Sequence, residues 1–537
     1  MPVPDLFAAG LASGWKTYNG SRLEQDLTLE ADVAIIGSGA GGGTTAEILS
    51  QAGFKVLLIE EGPLKTSSDF KMQEPEAYGT LYQEGMGRMS KDGAITIMQG
   101  RAVGGTTLVN WTSSFRTPDG TLQHWADEYG VKGHGVDEMA PWFARMEERL
   151  GVAPWALPPN ANNDVIRRGC DKLGLHWKVI PRNVRGCWNL GYCGMGCPTN
   201  AKQSMLLTTL PAALTNGAML ISRLRAERFE LSGNKAISLT ALAMKADGIH
   251  SSSVKVTLRA RHFVLAGGAV NSPALLLRSK AVDPHGLLGK RTFLHPTLIS
   301  SGLFDKPVRA YAGAPQSVYS DHFLDNVAVD GPLGFKLEVP PLHPILFSTT
   351  LQGWGEAHAR LMREFANSQT TLALVRDGFH PESRGGQVRL RDDGSPLLDY
   401  LLNETFWEAA RRALLTMAEI QFAAGARWVT PVHEAVTGYT SWAEAKRGLA
   451  ELPLAPLRCR VVSAHVMGGC AMADTPQRGV VDDEGRHFQI ENLSVHDGSV
   501  FPTSIGANPQ LSIYGLVARN ASLLAAALTG KAKPAIL

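Results

Sequence analysis

The sequence predicts an α/β chain (α+β overall), in which a mostly parallel sheet is joined by a second, antiparallel one. Three observations point there. Near the N-terminus two short apolar runs, "DVAIIG" and "KVLLIE", bracket a glycine-rich turn and a helical stretch, the pattern of buried parallel strands with a crossover helix. Two later runs, "FVLAGG" and "LSVHDG", again lead a buried strand into a glycine turn. Residues 301–455 lack such units and read as an antiparallel sheet with helices, among them "ETFWEAARRALLTMAEIQFAAG", whose Phe406, Ala410, Ala413, Met417 and Ile420 form one stripe ending at Gly425.

The 537 residues suffice for two or three domains, and 44% apolar against 19% charged content excludes a disordered chain. A net charge of +2 gives no reason to expect nucleic acid as a partner. No apolar run looks long enough to span a bilayer. The first twenty residues lack the charged and apolar regions of a signal peptide. The expected location is therefore cytoplasmic, with peripheral membrane contact left open. Six cysteines are too few for a disulfide scaffold.

In the first turn Gly37, Gly39 and Gly42 stand in G-x-G-x-x-G spacing. Gly37 permits the tight turn, Gly39 admits a pyrophosphate to the backbone, and Gly42 lets helix pack on strand. The helix start offers free N–H groups and partial positive charge. Glu60 ends the second strand, where a carboxylate accepts from ribose hydroxyls. Strand, helix, strand and acid in register predict an ADP-bearing dinucleotide, NAD or FAD. Farther on, "QGRAVGGTTLVNWTSSFRTP" places Gly104 and Gly105 before the amide of Asn110. "FVLAGGAVNSPALLLRS" reads as strand, turn and a helix begun at Ser272-Pro273. The C-terminal stretch carries Asp497-Gly498 and a long helix beginning at Asn508-Pro509.

These four separated stretches, in this order, resemble the glucose–methanol–choline (GMC) oxidoreductases, FAD-dependent alcohol oxidases and dehydrogenases. The likeness is nearest to the bacterial long-chain alcohol oxidase and cholesterol oxidase-like branches. It implies a Rossmann-like FAD-binding domain over 1–155, 200–300 and 456–537, and a discontinuous substrate-binding domain over 156–199 and 301–455. Gly37, Gly39, Gly42 and Glu60 would hold the ADP half of FAD. Gly104, Gly105, Thr106 and Asn110 would lie along the pyrophosphate and flavin, and Ala226 would meet the adenine. Asp497 and Gly498 would approach the ribityl chain, and Asn508, Pro509 and Gln510 the flavin pyrimidine. Some relatives attach FAD through a histidine where this chain has Val109, so non-covalent FAD is expected.

Within "SAHVMGGCAM", His465, Gly468, Cys470 and Met472 fit the family run in which a histidine faces the flavin. A neutral imidazole can accept the proton that leaves an alcohol during hydride transfer. The resemblance makes His465 the catalytic base and Asn508 the group that positions the substrate oxygen, whereas His295 and His496 read as structural. Asn508 also reads as a helix N-cap. No second ligand beside His465 supports a metal role. Cys187, Cys193 and Cys197 have a spacing that resembles GMC dehydrogenases with an iron–sulfur cluster, but "CGMGCPTNAKQS" equally resembles the long-chain alcohol oxidase branch, and free thiols in a glycine-rich loop are the commoner arrangement.

The expected reaction is oxidation of an alcohol, an apolar primary one being favoured, with oxygen, a quinone or another carrier as acceptor. Two other readings are a sugar or polyol dehydrogenase passing electrons through the cluster, and a lyase or decarboxylase on the same fold. A third is an NAD-binding protein without redox chemistry. The apolar stretch "VPPLHPILF" (339–347) reads as core or as the lining of an apolar entrance.

Overall fold

The computed structural model describes residues 3–351 and 353–530. Its first sheet runs Lys16–Asn19, Met219–Ser222, Val56–Ile59, Leu27–Ile36, Ser251–Leu265, Lys235–Met244, Leu224–Ser232, with Leu493–Val495 also on Ser251–Leu265. The pairings from Lys16–Asn19 to Ser251–Leu265 are parallel, as is that to Leu493–Val495; the last two are antiparallel. Val33, Ile35, Phe263, Leu265 and Val495 are fully buried, which is why the three apolar runs lack alternation. "AMLISRLRAERFEL" forms two strands, because Arg223 turns the chain at φ 56° between Met219–Ser222 and Leu224–Ser232.

The second sheet runs Phe335–Glu338, Ser368–Val375, Thr297–Leu303, Val461–Ser463, Ile95–Ile97, with Trp428–Pro431 also on Thr297–Leu303. All its pairings are antiparallel except that of Val461–Ser463 with Ile95–Ile97. The expected boundary at residue 300 thus falls inside a strand, and two strands come from segments read as cofactor-binding. Backbone hydrogen bonds need an adjacent edge, whatever segment supplies it. The Glu404–Ala423 helix, N-capped by Asn403, lays its predicted stripe into the second core.

Three local expectations differ from the structure. The Gly268–Arg278 helix begins four residues before Ser272 and holds Pro273 inside it. Its early start is sealed by Asp497 Oδ2, which accepts from Gly268 N (2.8 Å) and Ser272 Oγ (2.6 Å). The last helix is Gln510–Thr529, with Pro509 rather than Asn508 at its N-cap position and no side-chain cap bond. That helix is also long and apolar enough to cross a membrane by composition, with mean hydropathy 1.4, but it packs on the Ala40–Gln51 and Val136–Leu150 helices and is 72% buried. Within 339–347, Val339, Leu342 and Phe347 are core.

Backbone crossings set the sharpest packing constraint. A Cβ on Gly41 would lie 1.6 Å from the His496 carbonyl oxygen, and one on Gly42 1.8 Å from that of Gly37. Neither neighbour is a movable side chain. Gly41→Ala should therefore cost about 3 kcal/mol or more, whereas Gly120→Ala, in the Asp119–Tyr129 helix with nothing within 4 Å, should add about 0.5–1 kcal/mol. Denaturant titration of both variants checks the contrast.

Candidate active site

A cavity of about 1210 Å³ runs between the two sheets. One end is lined by Gly37, Gly39, Glu60, Arg223 and Ala226; the middle by Gly105, Thr106, Asn110, Asp497 and Gly498; the other end by His465, Asn508, Pro509 and Gln510. Gly42 and Gly104 lie just behind its wall. Gly42 backs onto Gly37, and Gly104 N donates to Ser38 Oγ (3.0 Å), which donates to Glu60 Oε2 (2.6 Å). That chain ties both glycine loops to the end of the Val56–Ile59 strand. Glu60 also accepts from the Ser38 and Gly62 amides at 3.1 and 2.9 Å, while burial pushes its carboxyl above the usual range.

The cradle fits a dinucleotide. Gly37 has φ 101° and a Cβ there would meet the Ala266 carbonyl oxygen at 2.3 Å; a Cβ on Gly105 would lie 2.8 Å from Gly39 Cα. No side chain can intrude on the floor at these points. The Ala40–Gln51 helix starts at Gly39 without a side-chain cap, so its first N–H groups are left for an anion. Asn110 Nδ2 donates to Gln510 Oε1 (2.7 Å), and Gln510 Nε2 donates to the Ser113 carbonyl (2.7 Å). These two residues thus lock the middle of the cavity to the start of the last helix. Lys202 holds the backbone on either side of Val109, its Nζ donating to the carbonyls of Leu108, Asn110 and Cys193 at 2.8, 2.6 and 2.6 Å.

His465 is half-buried against the cavity. Burial, then the Lys336 ammonium, hold its imidazole at about 3, so it is neutral at physiological pH. His295, read as structural, lies with Nδ1 3.0 Å from His465 Nδ1. Gly506 N–H donates to His295 Nε2 (3.1 Å), and a backbone N–H can only donate. Neutral His295 therefore carries its proton on Nδ1 and gives it to His465 Nδ1, leaving His465 with its own proton on Nε2. Asn508 does not cap a helix: its Oδ1 accepts from Lys336 Nζ (3.2 Å) and its Nδ2 donates to Glu338 Oε2 (3.1 Å). His496 is fully buried on Thr45 Oγ1 (2.9 Å).

Above these groups stands one face of the second sheet. Thr297, Leu372, Leu374 and Val462 line the cavity, and Ile299, Val432 and Trp111 pack with the leucines and Val462 in a small apolar cluster. Lys336, Glu338 and this cluster were not marked by the sequence, and His295 was read only as structural. Alternation in "FKLE" and "SQTTLALV" could have marked the strands, but not which face meets a ligand.

The three clustered cysteines are free, each with its own polar neighbour: Asn189 N donates to Cys187 Sγ (3.4 Å), Arg182 Nη2 to Cys193 Sγ (3.7 Å), and Cys197 Sγ meets Thr199 Oγ1 (3.5 Å). Among the described residues no three His, Cys, Asp or Glu side chains gather as a metal site. The structure thus gives the iron–sulfur reading no ligand set. A buried ammonium, Lys202, stands beside Cys193 and Cys197 instead.

Models of the GMC oxidoreductase family match residues 78–297 and 381–516. The chain is a GMC oxidoreductase. As a member of this FAD-dependent family it acts on CH–OH donors. It is 30% identical to a long-chain-alcohol oxidase of Arabidopsis thaliana, over 94% of this chain and 68% of that one. It is equally similar, 30%, to a GMC-type oxidoreductase of Sinorhizobium fredii, over 93% and 95%. A paromamine 6'-oxidase of Streptomyces fradiae is 27% identical, over 98% and 96%. Among solved structures, pyridoxine 4-oxidase from Mesorbium loti superposes with a TM-score of 0.67 at 21% identity, covering 91% of this chain and 98% of that one, a likeness of fold.

Two outcomes are expected. Glu60→Gln turns one of two accepting oxygens into an N–H donor that faces Ser38 or Gly62, so apo stability should fall by about 1–3 kcal/mol and FAD binding weaken about tenfold, the worth of one charge-assisted hydrogen bond; denaturant titration and fluorescence titration with FAD measure the two. Nitrogen-15 histidine NMR at neutral pH should find His465 protonated on Nε2 and His295 on Nδ1.

Proposed function

We propose that this GMC enzyme oxidises an apolar primary alcohol, with His465 as the proton acceptor, Asn508 as the group that holds the alcohol oxygen, and FAD bound non-covalently. The observation that carries the reading is the meeting of these two side chains with the apolar sheet face at one end of the cavity. A chain of methylenes loses water against Leu372, Leu374 and Val462, a gain of about 0.8 kcal/mol per buried CH₂. A polyol would leave its hydroxyls facing those side chains without partners, which is costly. The long-chain-alcohol oxidase names among the relatives support the same substrate class and point to oxygen as acceptor.

Bound FAD supplies the hydride acceptor. His465 accepts the hydroxyl proton at Nε2 in the tautomer that keeps its own proton on Nδ1, toward His295. Reaching that tautomer sets His295 Nε2–H against the Gly506 N–H, a cost of about 1–3 kcal/mol for the unpaired buried donor, so the base form is a minor population. Its low basicity keeps the ring from being protonated by solvent at physiological pH. Val109, beside the cavity, offers no nucleophile to FAD.

Anaerobic mixing with a panel of alcohols tests the reading. Long-chain primary alcohols should bleach the flavin bands, air should restore them, and sugars should act far more slowly. His465→Ala should keep its yellow colour but bleach about 10²–10⁴-fold more slowly. Bleaching by sugars in preference to fatty alcohols would overturn the substrate class, and a wild-type flavin that no alcohol bleaches would overturn the reaction.

A further inference from the structure

On the face of the second sheet that borders the cavity, the strand register sets Lys336 opposite Leu374 and Glu338 opposite Leu372. The central strands of this face present leucines to the site, whereas its edge strand, Phe335–Glu338, presents a cation and an anion. Both are buried, Lys336 at 3% and Glu338 at 0% exposure, and they pair at 3.3 Å. The Lys336 ammonium lies 3.1 Å from the centroid of the Phe115 ring and 4.4 Å from that of Tyr319. Glu338 Oε2 accepts from Gln316 Nε2 (2.5 Å), and Gln316 Oε1 accepts from Ser113 Oγ (2.7 Å). A buried pair of this kind adds little net stability over apolar residues of similar volume, so its placement beside the reaction site calls for another reason.

That reason lies in Asn508. An ammonium only donates and a carboxylate only accepts. With Lys336 against Oδ1 and Glu338 against Nδ2, the amide has one orientation. We propose that the Lys336–Glu338 pair is the positioning element of the site: it fixes the Asn508 amide so that its second N–H, rather than its carbonyl, meets the substrate oxygen. The same ammonium acts through space on His465, favouring the neutral ring. One buried pair thus sets donor direction on one side of the substrate oxygen and charge state on the other. This deepens the proposed reaction and rests on it.

The groups that bear on the test are few. His465 faces Lys336 and His295; His295 also senses Arg376; and Lys336 senses Glu338, Asp321 and Lys178. The experiment combines carbon-13 histidine NMR titration of the FAD-loaded protein with anaerobic stopped-flow flavin reduction. It compares wild type, Lys336→Met, Glu338→Gln, and the double variant Lys336→Met/Glu338→Leu, which leaves no charge buried alone. In Lys336→Met and the double variant His465 should titrate about one pH unit or more higher, since a like charge is gone. In Glu338→Gln it should stay neutral to the acid limit, since the cation remains. All three should reduce flavin about tenfold more slowly at saturating alcohol, with KM changed less than about threefold, as expected when an interaction made in the transition state is lost.

A His465 titration raised equally in Glu338→Gln and Lys336→Met would mean that water has simply entered, and would overturn the proposal. So would unchanged flavin reduction in all three variants. If no alcohol bleaches the wild-type flavin, the proposed reaction fails, yet the titrations still decide whether the pair governs His465. Should Lys336→Met not fold, the double variant decides by the same two readings.

Discussion

The site depends on a meeting of backbones. Residues 37–42, 104–105, 266–268 and 496–498 come from distant parts of the sequence, and they approach more closely than any side chain would allow. Gly41 sits on the His496 carbonyl and Gly37 on that of Ala266. Because these contacts are between main chains, they hold the strands and helix starts at fixed separations whatever the neighbouring side chains are. The hydrogen-bond chain from Gly104 through Ser38 to Glu60, and the Asp497 carboxylate sealing the Gly268–Arg278 helix, are then geometrically inevitable extras on a frame already closed.

A second theme is the management of charge. The cofactor end of the cavity carries a buried carboxylate with three donors on it, whereas the substrate end carries a neutral imidazole pair beside a compensated ion pair. Neither end leaves a net charge pointing at the apolar cluster of Leu372 and Leu374. The apolar alcohol of the proposed reaction would therefore meet hydrogen-bonding groups whose partners are already in place, with little reorganisation as charge develops on its oxygen.

Much of this was legible in the residues. Spacing alone located Gly37, Gly39 and Glu60, because a tight turn, a close approach and a strand-end acid each demand a residue type. The resemblance pointed to Val109 and the "GANP" stretch, of which Val109, Asn508 and Pro509 line the cavity. The long Glu404–Ala423 helix followed from its stripe. The Ser272-Pro273 start was misplaced because a carboxylate 229 residues away caps the true one, and no local signal reports a distant cap. Likewise Lys336 and Glu338 lie in an unremarkable stretch, and only sheet register, a non-local property, sets them on the face toward the cavity; His295, read as structural, meets His465 from a turn between two strands. Cys187, Cys193 and Cys197 sit close in sequence, but closeness in sequence does not make their sulfurs converge.

Lys202 has a consequence of its own. All three of its acceptors are carbonyl oxygens of the main chain, so the clamp recognises a path and is blind to the side chains along it. The side chain at position 109 can therefore be exchanged while the curve of the chain between Leu108 and Asn110 stays the same. A single ammonium in this way separates where the chain runs from which residue stands at 109.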